Sequence, residues 1–166
     1  MKIGFIGLGN MATAIIGGLL REGTTLSSED DNATVITAGN IIGSAKTEAT
    51  RQKRAEQFGI AVTASNREVA EAADVLVLAV KPQFFPEVIA KIREVVNENT
   101  LVISIAAGLT LERIAGLFDR DVTAMRLIRC MPNTPALVNA GCTAVVPGPG
   151  ATEADEALCL RLMESF

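Results

Sequence analysis

This sequence of 166 residues contains no histidine, no tryptophan and no tyrosine. Without histidine it lacks the commonest general base near neutral pH and the commonest zinc ligand. A Ser-His-Asp or Cys-His mechanism within the chain is therefore excluded. Aromatic residues amount to 4%, all of them phenylalanine, against 49% hydrophobic residues overall, so any core is built from Ala, Val, Ile and Leu. The three cysteines, Cys130, Cys142 and Cys159, stand too far apart for a zinc knuckle or a redox C-x-x-C pair, and no metal site is expected. Their odd number in a core-rich chain fits a reducing cytosol, which makes the expected location cytoplasmic. A spanning apolar run is missing too, because the stretch from Met11 to Leu20 is too short to cross a bilayer. No signal-peptide pattern follows Met1. The net charge of -4, with both signs interspersed, argues against a nucleic-acid partner.

What is present is enough for one domain with a real core. A mean hydropathy of +0.34 and 20% charged residues argue against a disordered chain. Strand-like and helix-like segments alternate along the length. Strands are expected at Lys2 to Ile6, Ala33 to Thr37, Ile60 to Val62, Val75 to Val80, Leu101 to Ile105 and Thr123 to Cys130, with a further one at Cys142 to Val146. Between them lie helical patterns at Asn10 to Glu22, Lys46 to Phe58, Asn66 to Ala73, about Pro86 to Val96 and Leu111 to Phe118. Gly59 has the look of a helix stop, Asn66 of a helix cap, and Thr152 with Asp155 opens a final helix. Val75-Leu76-Val77-Leu78-Ala79-Val80 is apolar throughout, as a strand buried on both faces should be. The implied fold class is α/β: a doubly wound, mostly parallel sheet of Rossmann type with helices on both faces.

The segment Ile6-Gly7-Leu8-Gly9-Asn10-Met11-Ala12 matches G-x-G-x-x-G/A and sits between a strand and a helix. In that pattern Gly7 permits the tight turn, Gly9 lets the backbone approach a pyrophosphate, and Ala12 allows the helix to pack on the strand. Free amides at the helix start face the anion. Glu29, Asp30 and Asp31 lie at the distance where an acid would hold the ribose hydroxyls of NAD, but they precede the second expected strand and read as a solvated turn. That strand ends in Ala38-Gly39-Asn40, with no carboxylate to repel a 2′-phosphate. NADP is favoured as cofactor, NAD remains possible, and Asn40 joins the candidate contacts. Lys46, Arg51, Lys53 and Arg54 follow, interleaved with Glu48 and Glu56 as on an exposed helix face.

After Gly7-Leu8-Gly9-Asn10-Met11 come, in order, Leu78-Ala79-Val80-Lys81-Pro82-Gln83, Ser104-Ile105-Ala106-Ala107-Gly108 and Arg129-Cys130-Met131-Pro132-Asn133-Thr134-Pro135. Together they resemble the N-terminal domain of the pyrroline-5-carboxylate reductases. The resemblance covers essentially all of residues 1–166 as one dinucleotide-binding domain. It implies NAD(P)H-dependent reduction of 1-pyrroline-5-carboxylate to proline, the last step of proline synthesis. It also implies nucleotide contacts at Ile6, Gly7, Leu8, Gly9, Asn10 and Met11, at Asn66, at Ala79, Val80, Lys81 and Pro82, and at Ile105, Ala106 and Ala107. Asn66 keeps its rival reading as a helix cap, and Lys81 either pairs with phosphate or is simply solvated. Family members carry Ser or Asn-Arg-like residues after the second strand for the 2′-phosphate; here Ile41-Ile42-Gly43-Ser44 stands after Asn40 as a small insertion. They also continue into a helical domain that makes the dimer and most of the imino-acid site, and nothing in this chain corresponds to it. A homo-oligomer is thus implied for the family, and a monomer or weak dimer for this chain.

Imine reduction needs a well-placed hydride but no strong enzymic acid if the imine nitrogen arrives protonated, so the lack of histidine and tyrosine is compatible with it. Asn133 and Thr134 are candidate contacts to nicotinamide or substrate, although Pro132-Asn133-Thr134-Pro135 is also good turn chemistry. Two other readings stay open. Gly4-Phe5-Ile6-Gly7-Leu8-Gly9-Asn10-Met11 also resembles the start of β-hydroxyacid dehydrogenases, whose Ser-Gly-Gly segment is replaced here by Met131 to Pro135. A non-catalytic nucleotide-binding module is the third.

Overall fold

The change of period along the chain, from continuous apolar runs to helical spacing, produces a layered molecule. The computed structural model describes residues 1–21, 25–26, 34–133, 135 and 141–166. The strands are β1 (Ile3–Ile6), β2 (Thr25–Leu26), β3 (Thr34–Val35), β4 (Ile41–Ser44), β5 (Ala61–Thr63), β6 (Val75–Leu78), β7 (Leu101–Ser104), β8 (Leu127–Pro132) and β9 (Thr143–Pro147). The helices are α1 (Asn10–Leu19), α2 (Glu48–Phe58), α3 (Asn66–Ala72), α4 (Phe85–Ile92), α5 (Leu111–Leu117) and α6 (Glu153–Met163). Seven strands form one sheet in the order β5-β4-β1-β6-β7-β8-β9, parallel except for β9, which runs against β8. From β1 the chain winds outward through β4 and β5, then returns to β6 on the other side of β1. The carboxyl ends of β1 and β6 therefore flank the switch point at which open α/β sheets bind ligands.

Alternation along β1 separates two cores. Ile3 and Phe5 face one layer, with Ile15 and Ile16 of α1 and Cys159 and Leu162 of α6. Ile6 faces the other, with Val69 of α3, Phe85 and Ile89 of α4, and Ile114 of α5. Helices thus cover both faces, as the sequence implies. Pro86 lies in the first turn of α4, where its missing N–H is no loss. Gly59 caps α2 in the left-handed region at φ 67°. Thr152 and Asp155 cap α6 reciprocally, and Asp155, almost fully buried, also receives a forked contact from Arg126. Among the described residues no helix is long and apolar enough to cross a membrane.

The second strand of the main sheet is not the expected Ala33–Thr37 segment. Ala33 lies outside the described residues, and Thr34–Val35 pairs only with Thr25–Leu26 in a small antiparallel ribbon. The strand beside β1 is Ile41–Ser44, registered Ile3↔Ile41 through Ile6↔Ser44. What reads as an insertion is thus an inner strand, and its Ile41 is fully buried. The last parallel strand begins at Leu127, because Val122–Ala124 turns in a 3-10 helix under an Asp121 cap. Glu29, Asp30 and Asp31, expected as a solvated turn, lie outside the described residues.

Candidate functional site

The carboxyl ends of β1, β4, β6 and β7 are laced together by main-chain bonds. Gly7 N donates to Ser44 O at 3.0 Å, Ala79 N to Ile6 O at 2.9 Å, and Ile105 N to Leu78 O at 3.3 Å. Gly7 has φ +97°, and a Cβ there would stand 2.8 Å from Ala79 O and 2.9 Å from Val80 Cγ1. The turn after β1 lies directly on the end of β6, so only glycine fits. Gly43 lies beneath the Leu8 side chain: a Cβ there would come within 2.6 Å of Leu8 Cδ2 and would have to displace that side chain, not the main chain. Leu8 is buried over β4, and its carbonyl accepts from Arg54 Nε at 3.4 Å.

Gly9 contrasts with both. It adopts an ordinary extended conformation, and a Cβ on it would meet nothing within 4 Å. It precedes α1, which has no side-chain cap and no carboxylate in its first turn. Thr13 N is the donor that reaches Gly9 O, at 2.9 Å. The amides of Asn10, Met11 and Ala12 therefore have no partner from the helix or its cap. Helices α2, α3, α5 and α6 each carry a Thr or Ser cap and an acid in the first turn. Among the described helices α1 alone lacks both features, and it presents an open, positively polarised end beside a glycine with free space.

The remaining expected contacts divide clearly. Ala79 and Val80 line the end of β6 half-buried, Lys81 is exposed, and Pro82 opens a 3-10 turn. Ile105, Ala106 and Ala107 follow β7 on the same rim. Ile6, Leu8 and Ala106 have buried side chains, so only their backbones can meet a ligand. Asn66 reaches this rim as the first residue of α3, but it is not the cap. Ser65 is, accepting from Glu68 N at 3.2 Å. The Asn66 Oδ1 accepts instead from the buried Ser44 hydroxyl at 2.7 Å.

Asn40 is not brought to the rim. It stands at the amino end of β4, where its Oδ1 accepts from Thr37 N at 3.0 Å and its Nδ2 donates to Met1 O at 3.1 Å. It fastens a turn at the opposite end of the sheet. The residues that do follow the second strand are Ala45, Lys46 and Thr47, so Lys46 stands in the turn before α2 and not on an exposed helix face. Thr47 caps α2, and Arg51 Nη1 donates to Ala45 O at 2.8 Å and Lys46 O at 3.2 Å. The exposed Lys46 ammonium is left at the end of β4, in a turn with no carboxylate before Glu48. A Thr cap shortly after a strand is the signal that could have found this turn. Asn133 Oδ1 accepts from Cys142 N at 3.0 Å, a bond between the end of β8 and the residue before β9. Thr134 lies outside the described residues.

A family described as NADP oxidoreductase coenzyme F420-dependent matches residues 2–108. The chain belongs to this family. It is 41% identical over 165 residues to the pyrroline-5-carboxylate reductase of Escherichia coli, covering 99% of this chain and 56% of that protein. A solved pyrroline-5-carboxylate reductase from Coxiella burnetii is 32% identical, with TM-score 0.85, over 99% of this chain and 56% of that one. The Plasmodium falciparum pyrroline carboxylate reductase, solved with NADP bound, shares the fold at TM-score 0.74 and 24% identity, over 99% and 55% of the two chains. The chain thus spans about half the length of the curated relatives it matches.

Proposed function

We propose that residues 1–166 form the nucleotide-binding domain of a pyrroline-5-carboxylate reductase, holding NADPH for the reduction of 1-pyrroline-5-carboxylate to L-proline. The observation that carries the reading is the pairing of Gly9, open on its Cβ side, with the uncapped start of α1. A pyrophosphate fits that cradle: the amides of Asn10, Met11 and Ala12 become its donors and no carboxylate opposes it. The adenosine end then lies toward β4 and β5, where Lys46 and Thr47 receive the 2′-phosphate and Asn66 receives the ribose. The backbone of Ala79 to Pro82 and of Ile105 to Ala107 lines the path toward the nicotinamide.

When bound, the reduced nicotinamide supplies the hydride. The chain's own share is to bind, orient and exclude water. The substrate's protonated imine nitrogen makes an enzymic proton donor unnecessary, in keeping with the absence of histidine and tyrosine. Most imino-acid contacts and the dimer interface are assigned to the half of the relatives that this chain does not span. The chain's place is the cytoplasm. Parallel NADPH and NADH titrations with a proline:NADP+ oxidoreduction assay test the proposal. Tight NADPH binding supports it, and failure to bind either nucleotide overturns it.

A further inference from the structure

Ser44 joins two parts of the rim. It ends β4, it is fully buried, and it lies in register with Ile6 on one side and Thr63 on the other. Its carbonyl accepts the Gly7 N–H at 3.0 Å, and its hydroxyl donates to Asn66 Oδ1 at 2.7 Å. A buried hydroxyl proton must find an acceptor, and the amide nitrogen of Asn66 cannot be one. The bond therefore fixes which way the Asn66 amide faces: Oδ1 inward to Ser44, leaving the two Nδ2 hydrogens for whatever stands on the rim. Asn66 is also released from helix duty. Ser65 caps α3 and is itself held by Thr63 Oγ1, which accepts from Ser65 N at 3.1 Å and donates to Glu68 Oε2 at 2.6 Å.

We propose that Ser44 is a positioning residue for nucleotide binding, setting the Asn66 amide so that Nδ2 donates to a ribose hydroxyl oxygen in the adenosine half of NADPH. This rests on the nucleotide reading above. The second and third strands of a dinucleotide fold flank the adenosine half, and here those are β4 and β5. Without the hydroxyl, the amide is free to turn and to present its oxygen to a ribose oxygen.

The test is a double-mutant cycle on the 166-residue chain, titrated with NADPH and with 2′,5′-ADP. Ser44→Ala should raise both dissociation constants about 5- to 20-fold, and Asn66→Ala by a similar factor. Ser44→Ala added to Asn66→Ala should have little further effect, which a merely structural role at Ser44 would not produce. Fully additive losses, or unchanged affinity for 2′,5′-ADP in Ser44→Ala, overturn the inference while the nucleotide reading stands. Failure of the wild-type chain to bind NADPH overturns both. A second measurement avoids any folding defect of the variants. The Asn66 side-chain amide resonances of the wild-type chain should shift on adding 2′,5′-ADP, and no shift at saturation also overturns the inference.

Discussion

Gly7 and Gly9 stand two residues apart in the same turn, yet alanine should act on them in opposite ways. At Gly7 a methyl meets the main chain of Ala79, with O at 2.8 Å and C at 2.9 Å, while φ is +97°. Backbone strain of about 1–2 kcal/mol adds to about 1–3 kcal/mol of overpacking. For a domain of this size, Gly7→Ala should lower Tm by roughly 10 °C. At Gly9 the backbone is extended and the Cβ position is empty to 4 Å. A slightly poorer helix cap is offset by about 0.4–1 kcal/mol from a stiffer unfolded chain. Gly9→Ala should therefore shift Tm by no more than about 2 °C. The same methyl occupies the space through which a pyrophosphate approaches α1. Loss of one charge-assisted hydrogen bond, about 1.5–3 kcal/mol, raises the NADPH dissociation constant roughly 10- to 150-fold. Circular dichroism melts and NADPH fluorescence titrations read the two effects separately. Wild-type affinity in Gly9→Ala, or a melt as low as that of Gly7→Ala, would refute the assignment of the cradle.

Three further outcomes are expected. Lys46→Glu should weaken NADPH binding at least tenfold and leave NADH nearly unchanged; an unaltered ratio in paired titrations removes Lys46 from the 2′-phosphate site. Burial opposes the charge on Asp155, but the Arg126 and Thr152 donors outweigh it and hold the carboxyl below its ordinary range. Its stabilisation is therefore complete above the unfolded value near pH 3.9 and lost as pH falls through the lower folded value. Denaturant melts between pH 2 and 7 should show a shallower acid loss in Asp155→Asn, and an identical slope would contradict this. The neighbouring Cys130 thiol, 3.4 Å away, and then burial push the Cys159 thiol well above its ordinary range. At neutral pH a maleimide should modify exposed Cys142 in the native chain and reach Cys130 and Cys159 only after unfolding, as mass mapping of the labelled peptides will show.

The α/β class and the strand-turn-helix context of the glycine-rich segment were legible because their signals are local. A G-x-G turn between a strand and a helix, an apolar Val75–Leu78 run and caps such as Thr152/Asp155 announce themselves within a few residues. The second strand was not legible. Thr34-Val35-Ile36-Thr37 has more β-branched residues than Ile41-Ile42-Gly43-Ser44, yet it is the latter that pairs with β1. That single exchange put Asn40 at the wrong end of the sheet, hid Ser44 and Thr47, and made Lys46 read as helix surface. Ser65 and Asn66 are both good caps in the sequence; Ser65 takes the Glu68 N–H, and Asn66 is engaged by Ser44, 22 residues earlier. The clasp of Arg126 on Asp155 spans 29 residues and leaves no sequence signal.

The most direct test of a nucleotide-binding rim is equilibrium titration of the unmodified chain with NADPH, followed by nicotinamide fluorescence. A chain without tryptophan or tyrosine contributes little background to it. Saturable binding at one site per chain, tighter for NADPH than for NADH and displaced by 2′,5′-ADP, is the predicted result. Absence of saturable binding for both nucleotides would contradict it.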